Sequence, residues 1–359
     1  MTLTDLKTTP LCEACKKAGG KMVDFHGWLL PVQFNSILTE HKAVRESAGM
    51  FDVSHMGQFV VEGKDAWKFL QYINCNNIKN DLGAGTYSHI LTEQGTIIDD
   101  AISFCLSEDK FLVVVNAACI DTDFAWFTRQ AQNFDVSVRN ESEQWGMIAL
   151  QGPKAVEIAA RLDGKIATLP RFHIMCVALF GAQGYVTRTG YTGEDGVEIM
   201  LPAQKITDVW NALLNEGVTP CGLGARDVLR LEAGYLLNGA DADQTRTPYE
   251  ANCGWVVKLA KEDFIGKHAL ETKKAAGFAE KLLAFKLKTA GVPREGCNVF
   301  FNGAQVGTLT SGTYSPLFKG IAVGYAQSDI PVGAEVEIEV HGRKLPAEVV
   351  KTPFYKNRV

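Results

Sequence analysis

Two adjacent carboxylates, Asp99 and Asp100, stand where a strand should be apolar. They lie in T-Y-S-H-I-L-T-E-Q-G-T-I-I-D-D-A-I-S-F, residues 86–104, which reads as a β-hairpin. Two β-rich runs flank the turn Thr92-Glu93-Gln94-Gly95, whose glycine supplies the positive φ that a tight turn needs. Aspartate is a poor strand residue. Side chains alternate faces along a strand, so one Asp points to each side. A carboxylate turned inward is costly unless a partner satisfies it. Two readings are open: an edge strand with both acids in water, or a carboxylate aimed into a cavity to meet a cationic or N–H-bearing ligand.

A second stretch repeats the anomaly. In V-T-R-T-G-Y-T-G-E-D-G-V-E-I-M-L, residues 186–201, Gly190, Gly193 and Gly196 surround Tyr191 and Glu194, and Glu198 interrupts an apolar strand. An exposed edge would explain Glu198 alone; two such acids in one chain point towards a shared polar cavity. Arg226, near the start of an amphipathic helix over 222–236, is either an anion clamp or a surface residue, and taken alone the surface is favoured. His55 in F-D-V-S-H-M-G is a base, a ligand or a hydrogen-bonded structural residue, and a lone histidine beside a strand favours the last. No H-E-x-x-H occurs, so zinc hydrolase chemistry is not expected. G-L-G-A-R-D is only a fragment of a dinucleotide fingerprint, and no nucleotide is expected. Cys12 and Cys15 form a lone C-x-x-C without the second pair that a zinc site needs, so no metal is expected. Cys105, Cys119 and Cys176 read as small buried hydrophobes. Nine scattered cysteines in a chain with no leader pattern imply reduced thiols.

The elements that must carry these residues follow from hydrophobic pattern. Helices are predicted over 11–18, 36–47, 66–72, 121–132, 222–236 and 266–275, and strands over 58–62 and 110–116 and from Met147. Strands and helices without regular β-α spacing indicate a multidomain α+β fold with antiparallel sheets. From about residue 280 short β runs alternate with turns such as Asn302-Gly303, the pattern of a small all-β barrel or sandwich. The expected division is 1–275, two intertwined α+β subdomains, and 276–359, the β domain. A formal charge of −5 in 359 residues argues against a nucleic-acid carpet or a polybasic membrane anchor. No run reaches the length of a membrane span, and the N-terminus has no apolar h-region, so a cytoplasmic protein is expected.

Taken together, G-G-K-M-V-D-F-H-G-W, F-D-V-S-H-M-G, G-T-I-I-D-D, L-Q-G-P, G-Y-T-G-E-D-G-V-E-I, G-A-R-D-V-L-R-L-E-A-G and T-S-G-T-Y-S-P cover essentially the whole chain. The chain resembles the aminomethyltransferase (T-protein) family of the glycine cleavage system. The resemblance implies three domains in a cloverleaf around a central cavity that takes tetrahydrofolate. It implies transfer of the methylene carbon of an aminomethyl group, carried on the lipoyl arm of the H-protein, to tetrahydrofolate, with release of ammonia and formation of 5,10-methylenetetrahydrofolate. A functional association with the P- and L-proteins goes with it. Asp100 matches the family's important acid. Glu198 and Arg226 match its folate-contacting pair, and Tyr191, Tyr87, Met56 and Asn116 match other pocket positions. Asp99, Tyr355 and Arg358 are further candidates for folate contact. Other folate-dependent demethylases of this fold are the alternative enzymes. A folate-binding accessory protein is the non-enzymatic alternative, but where such proteins carry K-G-C-Y-x-G-Q-E this chain reads K-E-D-F-I-G-K-H, residues 261–268.

Overall fold

The computed structural model describes residues 5–357. Two sheets packed on each other hold the chemistry. The first has five antiparallel strands in the order Gly85–Leu91, Ile97–Ser107, Lys110–Val115, Gly57–Glu62 and Ser137–Asn140. The second has six, in the order Ile174–Leu179, Ala182–Thr187, Gly196–Pro202, Trp145–Gln151, Gly49–Asp52 and Thr219–Pro220. Thr219–Pro220 runs parallel to Gly49–Asp52, and Lys7–Thr8 runs parallel to Trp28–Gln33 in a three-stranded sheet, so the sheets are not wholly antiparallel as expected.

The five-stranded sheet is buried on both faces, and its sequence shows why. In Lys110–Val115, Phe111, Val113 and Val115 pack under the helices Ala66–Ile73 and Ile120–Gln130, while Leu112 and Val114 face the six-stranded sheet. Both parities are therefore apolar. In the facing sheet Met147, Ala149 and Met200 close the same inter-sheet layer, and Ile148, Leu150, Val197, Ile199 and Leu201 turn to the opposite core. The hairpin turn falls where expected, with Gly95 at φ 76°. Its strands run one to three residues beyond the predicted ends, to Gly85 and Ser107.

The predicted helices form, shifted by a residue or two at most ends. Ser36 caps Ile37–Glu46 by accepting the Thr39 N–H. Leu223–Glu232 stops four residues before the predicted end, at Ala233 and Gly234, where Gly234 takes φ 72°. Cys176 is exposed, against expectation. Its strand is at the sheet edge, and alternation turns Val177 and Leu179 into the core while Cys176 and Ala178, on the other face, are left exposed.

The chain ends in a closed six-stranded barrel, in the order Glu280–Leu287, Lys319–Gln327, Ala304–Ser315, Asn298–Phe301, Glu335–Val340 and Arg343–Val350. The segment 235–243 ties it to the rest. Asp241, fully buried, accepts from Arg230 Nη1 at 2.5 Å and the Leu237 N–H at 3.0 Å through one oxygen. Through the other it accepts from the barrel hydroxyls of Thr310 and Ser311 at 2.6 and 2.7 Å. Its carbonyl accepts the Tyr325 hydroxyl. Removing one partner of a buried ion pair leaves the other charge dry and unpaired. Asp241→Ala is expected to lose about 3 kcal/mol of stability in a urea titration. A loss under about 1 kcal/mol, the worth of an exposed pair, would show that the junction carries little.

Candidate functional site

The edge-strand reading fails for both anomalies. Ile97–Ser107 and Gly196–Pro202 are interior strands with a neighbour on each side. Alternation then decides where each acid points. Asp100 shares parity with Ile102 and Phe104, which face the inter-sheet layer. Glu198 shares parity with Met200 and faces the same layer from the opposite sheet. Asp99 shares parity with Ala101 and Cys105 and faces the helix layer. Asp100 and Glu198 are half-buried, whereas Asp99 is fully covered.

The two sides meet at Tyr191, which feels the charges of both Asp100 and Arg226. Asn116, at the end of Lys110–Val115, clamps the aspartates. Its amide nitrogen donates to Asp99 Oδ1 at 2.8 Å and to Asp100 Oδ1 at 2.9 Å, and its backbone N–H donates to Asp99 Oδ2 at 3.0 Å. The Asp100 carboxyl is pushed up to about 7, first by burial and then by the charge on Asp99, against hydrogen bonds from Tyr87 and Asn116. Asp100 and Tyr191 in turn raise the Tyr87 phenol, whose main perturbation is burial. Tyr87 stacks on Trp255 at 5.8 Å, and Tyr191 on Tyr235 at 5.7 Å. The partly exposed Trp255 and Tyr235 extend these walls towards solvent.

Arg226 is not a surface residue. Its guanidinium lies 4.7 Å from the Tyr191 ring centre, and its Nη1 is buried without a hydrogen-bond partner. Burial lowers its pKa, opposed by Tyr191 and Glu198. Beside it a void of about 10 Å³ has room for one water. Burial also raises Glu198, against hydrogen bonding from Thr189 and the charge of Arg226. Tyr191 donates its hydroxyl to the Leu236 carbonyl, and Gly193, two residues on, takes φ 79°. The half-buried Met56 packs into the inter-sheet layer. His55 is buried, held neutral with its pKa pushed down to about 3 by burial, and packs against Phe25. Its Nδ1 is buried without a hydrogen-bond partner, unlike the hydrogen-bonded structural residue expected.

The C-terminal segment also reaches these elements. The Arg45 guanidinium sits 3.9 Å over the Tyr355 ring, and Tyr355 N–H donates to Glu232 O. Arg45 itself bridges Glu194 and Glu232. Arg358 lies outside the described residues. Asp99, expected as a further folate contact, does not face the layer that Asp100 faces, because alternation turns it to the helices.

Sequence reasoning missed Asn238, whose amide donates to Asp99 at 2.6 Å, and Thr189, which donates to Glu198. It also missed Asp123, buried beneath Asp99. A signal for Asp123 was present: in Ile120–Gln130 it shares a helical face with Ile120, Phe124 and Phe127, which pack into the core. An open groove of about 600 Å³ lies elsewhere, between Arg246, Glu280 and the barrel strands. None of the converging acids lines it.

Three comparisons bear on the chain. Residues 11–261 match the family model described as the GCVT N-terminal domain, and residues 281–356 match the glycine cleavage T-protein C-terminal barrel domain. An aminomethyltransferase of Halothermothrix orenii is 44% identical over 357 residues, 97% of this chain and 100% of that one. One of Listeria monocytogenes serotype 4b is 44% identical over 361 residues, 99% of each. The crystal structure of the glycine cleavage system aminomethyltransferase T from Bartonella henselae superposes with a TM-score of 0.91 at 35% identity, covering 98% of this chain and 99% of that one.

The cavity's electrostatics have a consequence for stability. Between 3.8 and about 7 the folded chain keeps a proton on Asp100 that the unfolded chain has lost. Stability from this group therefore falls as pH rises through that window, and the burial cost is complete above it. Asp100→Asn is expected to raise the melting temperature of the ligand-free protein above about pH 7 and to leave it unchanged below 3.8. An equal gain at both ends would show that the burial of charge is not the cause.

Proposed function

The chain belongs to the aminomethyltransferase family of the glycine cleavage system, and on that premise we propose which of its residues carry the reaction. The enzyme is a folate-dependent transferase. In our reading it takes the aminomethyl group from the lipoyl arm of the H-protein, releases ammonia, and joins the methylene carbon to tetrahydrofolate as 5,10-methylenetetrahydrofolate. It works with the P- and L-proteins in the cytoplasm. Residues 1–275 form the folate-binding part and 276–359 the barrel that braces it.

The observation that carries this reading is Asp100, a carboxyl with a pKa near neutrality on an interior strand, opposite Glu198 and Arg226. The pterin edge presents an amino group and a ring N–H side by side. One carboxylate can accept both in a planar pair, which suits Glu198. Arg226 holds Glu198 by charge, and its unpartnered Nη1 is free to donate to the folate. Tyr87 and Tyr191, each in a ring pair, wall the pterin, and Met56 gives an apolar surface beside it. Asn116 fixes the rotamer of Asp100. Tyr355 ties the C-terminal segment to Arg45 and Glu232, and in this reading it and Arg358 are folate contacts.

The methylene carbon breaks its bonds to ammonia and to the lipoyl sulfur and forms bonds to folate N5 and N10, and each departure leaves positive charge at carbon, thionium-like as ammonia goes and iminium-like as the thiolate goes. A fixed carboxylate at that point stabilises the developing charge. Folate N5 then captures the carbon and must lose a proton. A carboxylate with a pKa of about 7 is matched to accept it near neutral pH. Both roles require the ionised form, so turnover should rise with pH through about 7.

Purified enzyme, tetrahydrofolate and aminomethyl-loaded H-protein are expected to give ammonia and 5,10-methylenetetrahydrofolate in equal amounts. Asp100→Asn should lose about 10²- to 10³-fold in kcat while folate affinity changes little. Glu198→Gln should instead weaken folate binding, by roughly tenfold for one lost charge-assisted pair. If Asp100→Asn turns over within a few-fold of the parent, Asp100 is structural and the assignment is wrong.

A further inference from the structure

We propose that Asp123 is a positioning residue: its carboxyl stays protonated and donates to the Asp99 carboxylate, so that the two acids carry one negative charge between them, held directly behind Asp100. The inference rests on the reading of Asp100 as the reacting acid and concerns what sets its properties.

The geometry leaves Asp123 little choice. It sits in the first turn of Ile120–Gln130 and is fully buried. No N–H or hydroxyl reaches either of its carboxyl oxygens. The hydrogen-bonding neighbour it does have is the Asp99 carboxyl. Two carboxylates in contact in a dry interior cannot both be ionised. The proton belongs to the acid with fewer donors. Asp99 accepts from the Asn116 N–H, the Asn116 side-chain amide and the Asn238 side-chain amide at 3.0, 2.8 and 2.6 Å. These stabilise its charged form, and Asp123 has nothing equivalent. The half-charge of a helix N-terminus favours an anion at Asp123, but burial outweighs it. Burial and the Asp99 charge push Asp123 up to about 11.

A cation shared between the acids is a poorer account. A carboxylate has about four lone-pair sites. Those of Asp99 are taken up by N–H donors from Asn116, Asn238 and the Asp100 backbone, with the Cys119 thiol and Asp123 also against it, which leaves no lone pair for a cation. Among the described residues no group of three or more acids, histidines or cysteines is placed to hold a metal ion.

The pair acts on Asp100 in two ways. The Asp99 charge is, after burial, the largest influence raising Asp100. The Asn116 amide is shared by Asp99 and Asp100, so the rotamer of one fixes the other. The uncharged groups facing Asp100 are Tyr87 from the neighbouring strand, Tyr191 from the opposite side, and the thiols of Cys119 and Cys253. Glu198 and Arg226 face it from the opposite side as an opposed pair, and the charge that acts most on Asp100 is that of Asp99.

The test is infrared spectroscopy of the ligand-free protein at about pH 8, where an ordinary aspartate is ionised. The parent is expected to show a buried carboxylic-acid C=O band that shifts in D2O and is missing from Asp123→Asn. Kinetics supply the second reading. Asp123→Leu, which cannot donate, should lose about tenfold in kcat. Asp123→Asn, neutral and still a donor, should recover most of it and keep the acidic limb of the kcat–pH profile where the parent has it. A parent without the band, or an Asp123→Asn limb displaced to lower pH, would mean that Asp123 is ionised and would overturn the proposal. The band is read without turnover. Its absence with Asp100→Asn still inactive sinks this inference alone, and an active Asp100→Asn with the band present sinks the catalytic reading alone.

Discussion

A carboxylate in the middle of an interior strand is a standing free-energy debt, and the site is organised around meeting it. Asp99 and Asp100 lie on a strand flanked on both sides, between a helix layer and a second sheet. Water cannot solvate them freely, so protein donors must. Asp99 is satisfied almost completely, by Asn116 and Asn238. Asp100 is satisfied only in part, and its pKa is raised accordingly. Burial raises both carboxyls, and Asp100, with fewer donors, also feels the charge of Asp99.

The same contrast recurs across the cavity. Glu232, deep between helices and barrel, is engaged by His41, Arg45 and Ser315, and hydrogen bonding holds its pKa below the usual range despite burial. Glu198 has Thr189 and the field of Arg226, and its pKa lies above the usual range. Fully partnered carboxylates brace the fold, whereas the under-partnered ones face the inter-sheet layer, where a ligand can complete them.

Much of this was legible in the sequence, and the limits have physical causes. Asp99, Asp100 and Glu198 announce themselves because a charge in an apolar run is improbable without a partner. The barrel was visible from short β runs and turn signals, and the helices from their periodicity. The residues alone leave Arg226 between an anion clamp and the surface, because a helix-start arginine usually points to water, and only the packing of Leu223–Glu232 against its neighbours shows that it is buried. Asp99 was placed with the ligand because parity tells that two acids diverge but not which layer each enters. Asn238 and Thr189 lie in a loop and at a strand end, where no periodicity marks a buried side chain. Cys176 misled because an apolar neighbourhood in sequence does not reveal which strand is at the edge.

The segment 235–243 belongs to no sheet, yet it contacts both walls of the site and the barrel. Its Leu236 carbonyl holds Tyr191, its Asn238 holds Asp99, and its Asp241 holds barrel hydroxyls. The barrel is thus coupled to the acid cluster through nine residues of loop. In evolutionary terms the two regions cannot drift apart or be exchanged as separate modules. A recombinant carrying a foreign barrel inherits the acid cluster intact but loses the contacts that tie it to the barrel, unless the loop travels with its barrel.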